Sequence, residues 1–239
     1  MDINISGKGS ISAGEYETVK VSGSGKLEGP ISCDRLHVSG AAQGKSITCK
    51  GEVHVSGSCS FAEDIAANSA SVSGALNCRS IRTEGEYRIS GAGKCEGSVK
   101  CGTLHVSGLL SAGGDIEAES VRVTGVINCG GLLNAETVDI SFTNGIEIGA
   151  IGGSRISVHR SKFEKSKFFS LFSFGIKPHG TVKVRQSIEG DEVSLEYVET
   201  ERVSCRKAVI GSGCRIALVQ YSDSIEIAPD AKVDKAEKI

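Results

Sequence analysis

Tryptophan is absent from this 239-residue chain, methionine occurs once, proline three times, and aromatic residues make up only 5% of it. A wide core needs bulky side chains to fill it, so this composition excludes one and calls for a narrow interior of Val, Ile, Leu, Ala and Cys. A surplus of one charge is also missing. The 27 Lys and Arg against 29 Asp and Glu leave a net charge of −2, which gives no general attraction to nucleic acid. No apolar run is long enough to cross a bilayer. The start, Met1-Asp2-Ile3-Asn4-Ile5-Ser6-Gly7, reads as a repeat unit rather than a secretory leader. The nine cysteines are odd in number and contain no C-x-x-C spacing, which argues against zinc. Without a leader, the expectation is reduced thiols in the cytoplasm.

What the chain does have is 31 glycines and a strict period. Val21-Ser22-Gly23, Val38-Ser39-Gly40, Val55-Ser56-Gly57, Val72-Ser73-Gly74, Ile89-Ser90-Gly91, Val106-Ser107-Gly108 and Val123-Thr124-Gly125 recur with a fixed 17-residue spacing. Such spacing without insertions means that each repeat stacks on the one before it. The column Val21, Val38, Val55 to Ile140 is β-branched throughout, and the column two positions earlier (Val19, Leu36, Val53 to Val138) is mostly apolar. Between them lie Lys20, His37, His54, Ser71, Arg88, His105, Arg122 and Asp139, all polar. In-out-in is the signature of a strand with one buried face. Serine then points outward, and glycine is expected to turn the corner with a positive φ. The fold expected is all-β: a parallel β-helix solenoid with about 17 residues per coil.

A 34-residue period overlies the first, with Ile31, Ile65, Val99 and Leu133 in one column and Leu27, Phe61, Cys95 and Cys129 in another. Two alternating coil types would account for it. The pattern places an N-terminal β-helix of about eight coils over 1–142, ending where Phe142 takes the place of glycine. Residues 143–175 slip out of phase and include a connector rich in Phe and Lys. C-terminal coils follow over 176–233, on the 17-residue spacing of Ile176, Val193, Ile210 and Ile227, and 234–239 reads as a polar tail.

Three groups of residues invite a chemical reading. Cys78 and Cys95 share a column on successive coils, yet buried small hydrophobes explain the cysteines better. His37, His54 and His105 face outward; a β-helical acyltransferase or lyase would use such a histidine, but their column also holds Lys, Ser, Arg and Asp. Its members fit a solvated polar face. Lys162, Lys165 and Lys167 beside Phe168, Phe169, Leu171, Phe172 and Phe174 join cationic attraction to apolar mass. That segment either lies on an anionic membrane surface or packs against the β-helix. No catalytic, cofactor or metal site is expected.

These features resemble the bactofilins, bacterial polymer-forming cytoskeletal proteins. The likeness lies in the 17-residue Val-Ser-Gly coils and in Ile188-Glu189-Gly190-Asp191-Glu192-Val193 with Val209-Ile210-Gly211-Ser212-Gly213-Cys214-Arg215-Ile216, which looks like the ending of longer members from Gram-positive spore-formers. The resemblance implies a right-handed β-helix that assembles end to end without nucleotide. It also implies a cytoplasmic scaffold, often at the inner face of the membrane, for cell shape, envelope enzymes or motility. Two β-helical blocks around a Phe-rich stretch depart from the shortest members, which have one core. Ile3 and Ile5 begin a coil with no cap, so they mark the expected polymerisation end. The expected partners are a second copy of the chain, the membrane surface, and envelope or flagellar proteins. An assembly factor that binds such proteins without polymerising is the remaining alternative.

Overall fold

The structure, a computed structural model, describes residues 1–161 and 180–239. It is all-β, with 21 strands from β1 (Ile3–Ile5) to β21 (Lys232–Lys238) joined in one parallel sheet. The sheet winds into a β-solenoid of about 13 turns with about 17 residues per turn. Every register pairing links a turn to its neighbour, so the backbone ladder of the rod runs between nearest neighbours; a side-chain hydrogen bond from Arg185 to Gly130 O (2.9 Å) reaches over one turn.

The two apolar columns read from the sequence line the core. Val19, Val21, Val38, Val53 and Val55 are buried, as are their successors up to Val138 and Ile140. A third ladder completes the interior on another face: Ile31, Ile47, Ile65, Ile81, Val99, Ile116, Leu133, Ile151, Ile188, Val203 and Val219 pair one to the next. This ladder explains the 34-residue period. It alternates a short 16-residue step (Ile31 to Ile47, Ile65 to Ile81) with a long 18-residue step (Ile47 to Ile65, Ile81 to Val99). The Val-Ser-Gly face keeps its even 17-residue step, so alternate turns redistribute one residue between faces. Between Val99 and Leu133 the third face adopts that even step as well.

The corner glycines behave differently from the expectation. Among the described residues only Gly29 and Gly213 have positive φ among the glycines, so the Val-Ser-Gly corners need no left-handed backbone. They need room. A Cβ on Gly40 would lie 2.0 Å from the Gly23 carbonyl oxygen, one on Gly57 2.0 Å from Gly40 O, and one on Gly74 1.9 Å from Gly57 O. The approach is enforced by hydrogen bonds: the Ser39 and Gly40 N–H groups both donate to Val21 O (2.9 and 3.0 Å), and Ala41 N–H donates to Gly23 O (2.8 Å). Repeated at each corner, this close approach is open to glycine alone.

Phe142 ends the series by turning inward. It closes β16 (Val126–Phe142) with no exposure, and the chain turns after it at Thr143-Asn144. The following coil belongs to the same rod: β17 (Ile146–Arg160) pairs with β16 on one side and with β18 (Val182–Leu195) on the other. Ile151 pairs with Ile188 and Val158 with Leu195, a step more than twice the usual one. Residues 162–179 are therefore inserted within one turn, and the coils before and after them form one stack rather than two blocks. The 17-residue spacing of Val193 and Ile210 is likewise not a coil step. Val193 pairs with Ala208 and Leu195 with Ile210, so the turn between β18 and β19 (Val198–Ile210) makes only a 15-residue step there. Residues 234–238, expected as tail, lie in β21 and pair with β20 (Arg215–Ile227).

Candidate functional site

The two ends of the rod are chemically unlike. At the N-terminal end β1 pairs only with β2 (Lys8–Val21), through Ile3↔Val19 and Ile5↔Val21. Ile3 is half-buried, while Ile5 and Ile11 are 7% and 6% exposed, so the apolar ladder runs to the first turn. A Cβ on Gly7 would meet nothing within 4 Å, whereas the next corner glycine, Gly23, is pressed against Gly7 O. Gly7 therefore has the corner's chemistry without an underlying turn. At the other end β21 reads Lys-Val-Asp-Lys-Ala-Glu-Lys and carries Val233 and Ala236 opposite Ile216 and Val219, with Ile227 at the end of β20 and Ile239 after β21 exposed. Ser222, Asp223 and Ser224 are exposed, and Pro229, which has no N–H to offer, follows β20. Polar residues, charge and proline are the usual means of blunting a sheet edge.

The outward column forms one face of the rod, with Lys20↔His37 and His37↔His54 in register. The His37 and His54 rings stack with centroids 4.8 Å apart and 7° between planes. Near-parallel rings direct their in-plane nitrogen lone pairs alongside one another instead of toward a common point, which does not suit a shared metal. Beside them lies a groove of about 660 Å³, lined in part by Asp2, Lys20, Arg35 and Glu52. His54 and His105 each sit near a carboxylate, His54 Nδ1 3.9 Å from Glu52 and His105 Nε2 3.5 Å from Glu86. Carboxylates thus lie beside the histidines along an exposed face, where such polar contacts contribute at most about 1 kcal/mol. Among the described residues no group of three or more His, Cys, Asp or Glu is placed to hold a metal ion.

All nine cysteines are free and buried. Their thiols are core residues, and burial pushes several upward, Cys59 and Cys101 to about 12. The sequence reading of Cys78 above Cys95 holds: they are in register, with sulfurs 3.5 Å apart.

The Lys162, Lys165, Lys167, Phe168, Phe169, Leu171, Phe172 and Phe174 segment lies outside the described residues. Its root does not. Arg160 stacks its guanidinium over the Tyr197 ring, 3.4 Å from the centroid. Its Nη2 donates to Gly180 O (3.0 Å), and its backbone N–H donates to the Glu196 carboxylate (3.2 Å). Tyr197 is held at φ 53°, a costly value for a side chain of that size, and Gly213 makes the space: a Cβ there would come within 2.3 Å of the ring. This clamp joins the residues on either side of the insertion to the next two turns. Sequence reasoning missed it, because Arg160 and Tyr197 are separated by the insertion and no periodic column links them. The one available hint was Ser212-Gly213, a glycine outside the corner series.

Comparison with known proteins adds one relative. A curated Bacillus subtilis (strain 168) protein described as uncharacterized protein YhbF is 32% identical over 89 residues, covering 37% of this chain and 33% of that protein. The match thus spans about a third of that relative's length. No family model and no solved structure matches the chain.

Proposed function

We propose that the chain is a non-enzymatic scaffold of the bactofilin kind that assembles end to end through its β-helix termini, without nucleotide. The observation that carries this reading is the N-terminal edge. There β1 has backbone groups free on its outer side, over an interior of Ile3, Ile5 and Ile11, with no capping element among the described residues. An uncovered edge of this kind pairs with another chain unless something prevents it. Apolar burial and backbone pairing supply the driving force, as they do inside the rod. Cell shape, envelope or motility assembly at the cytoplasmic face of the membrane is the corresponding setting.

Electron microscopy of purified protein in nucleotide-free buffer, beside size-exclusion chromatography, tests the assembly. Filaments or large species are expected for the wild type, and Ile3→Lys with Ile5→Lys is expected to reduce them to small species with an unchanged β-sheet circular dichroism spectrum. A monodisperse wild-type monomer at micromolar concentration would sink the proposal. That result would favour the second reading, an assembly factor that binds envelope or flagellar proteins as a monomer, for which the polar, proline-marked C-terminal turn is the supporting observation.

The membrane part of the proposal rests on the composition of residues 162–174 and on the interruption of one turn there. Each basic residue near an anionic surface contributes about 1 kcal/mol. Sedimentation with liposomes of mixed anionic and neutral lipid is expected to carry down the wild type. Phe168→Ser/Phe172→Ser should leave most of the protein in the supernatant; equal sedimentation of the two would remove the membrane role.

A further inference from the structure

We propose that Cys78 is a peroxide-reactive thiol with Cys95 as its resolving partner, so that a mild peroxide joins two successive turns through a Cys78–Cys95 disulfide. The two residues close β8 (Ala75–Cys78) and β11 (Ala92–Cys95), in register on adjacent parallel strands. Neighbouring strands lie about 4.8 Å apart, inside the Cα separation of about 4.4–6.8 Å that a disulfide accepts. The sulfurs are 3.5 Å apart and must approach to about 2.05 Å. Both stand where a strand gives way to a corner, so side-chain rotation need not disturb a continuing ladder.

Surroundings rather than exposure distinguish this pair from the other in-register pair, Cys33 and Cys49, which are as buried, at 1% and 3%. A surface groove of about 300 Å³ is lined by Cys78 together with Arg79, Lys94 and Glu96, and Cys78 retains 4% exposure against 2% for Cys95. On the inner side Tyr87 is wholly buried, and its hydroxyl has no hydrogen-bond partner. An oxygen added to sulfur in this part of the core enters a region that already holds an unpaired donor. The Cys49 thiol, by contrast, donates to Asp34 O and Glu52 O, both at 3.4 Å, and its hydrogen bond with Cys33 lowers it to about 7, so that pair can be oxidised independently.

The chemistry balances. The Cys78 sulfur attacks one peroxide oxygen, the O–O bond breaks, and a sulfenic acid and one water form, the sulfur losing two electrons. The Cys95 sulfur then attacks the Cys78 sulfur. Its proton leaves with the sulfenic hydroxyl as a second water, and the S–S bond closes. Hydrogen peroxide is the oxidant, and a small dithiol reverses the link. The hydrogen bond with Cys95 and burial both push the Cys78 thiol up, so the thiolate is scarce at neutral pH. The rate should rise about tenfold per pH unit from 7 to 9.

The test uses the full chain, reduced and folded, with hydrogen peroxide followed by intact-mass and peptide mapping. Expected are a Cys78–Cys95 cross-linked peptide lighter by two hydrogens and reversal by dithiothreitol, with any Cys33–Cys49 link mapped separately. The link closes a 17-residue loop and should raise the melting temperature by about 6–12 °C. In Cys95→Ala, which matches Ala112 in the same column and so should fold, dimedone is expected to trap Cys78 as its sulfenic acid. The proposal is overturned if folded protein gains oxygen at Cys78 without a link, or if Cys78 and Cys95 both remain reduced. It fails equally if Cys95→Ala, folded by circular dichroism, yields no dimedone adduct.

Discussion

Gly74→Ala, the smallest substitution possible at a corner, is expected to destabilise the rod by about 3 kcal/mol or more. The added Cβ would lie 1.9 Å from the Gly57 carbonyl oxygen and 2.5 Å from Ser56 O. Neither atom belongs to a flexible side chain, so the two turns must separate locally. Separation strains three hydrogen bonds: Ser73 and Gly74 N–H to Val55 O, and Ala75 N–H to Gly57 O. Each contributes about 1 kcal/mol net. Urea or thermal unfolding reads the loss, and hydrogen exchange at the Ala75 amide should localise it. Gly7→Ala is the matched control. With nothing within 4 Å of the new methyl, it should change stability by less than about 0.5 kcal/mol. If copies stack beneath the first turn with the same corner geometry, Gly7→Ala should nonetheless shorten assemblies. A large stability loss in Gly7→Ala, or none in Gly74→Ala, would refute the steric account of the corners.

Phe142→Gly is expected to cost about 4 kcal/mol or more, although it restores the repeat triplet after Ile140-Ser141. Consensus reasoning predicts the opposite sign, since glycine follows the Ser or Thr in each of the seven preceding copies. Phe142 is wholly buried, and its backbone pairs with Arg160 in the next turn while its carbonyl accepts from Ser161 N–H (2.9 Å). Removing the ring empties the core beside the insertion root, and glycine adds backbone freedom to the unfolded chain. A melting temperature lower by about 10 °C or more is expected. An unchanged or raised value would mean that the ring does not fill the core there.

The parts of the fold that were legible in the sequence are those repeated often enough to be read as columns. Val21 to Ile140 announced a buried strand face because successive turns carry the same chemistry at one spacing, and Cys78 over Cys95 followed from that spacing. The corner glycines were found, but their cause was not, because a sequence does not distinguish a special φ from a carbonyl pressed against Cα. Beyond Phe142 the spacing itself misled. Val193 and Ile210 keep the 17-residue spacing yet occupy different columns, since the shorter turns on that side of the insertion had displaced the lattice. Of the assembly end, Ile3 and Ile5 were legible as the start of a turn. The contrast with the polar last turn was not, because Lys232–Lys238 reads as tail unless its pairing with β20 is known.

The hydrogen bonds that join turns run along the rod, and this gives the molecule a definite way to break. Pulled lengthwise, a turn cannot slide over its neighbour; all the bonds of one interface are loaded together, and the rod stays stiff until one plane parts. Register shifts interrupt several of these ladders: between β16 and β17 at Cys129/Leu132, between β17 and β18 at Ile148/Ile151, between β18 and β19 at Val184/Ser187 and between β19 and β20 at Cys205/Lys207. Side chains rivet the planes beside the insertion, with Arg160 on Tyr197 across one and Arg185 reaching over a whole turn to Gly130 O.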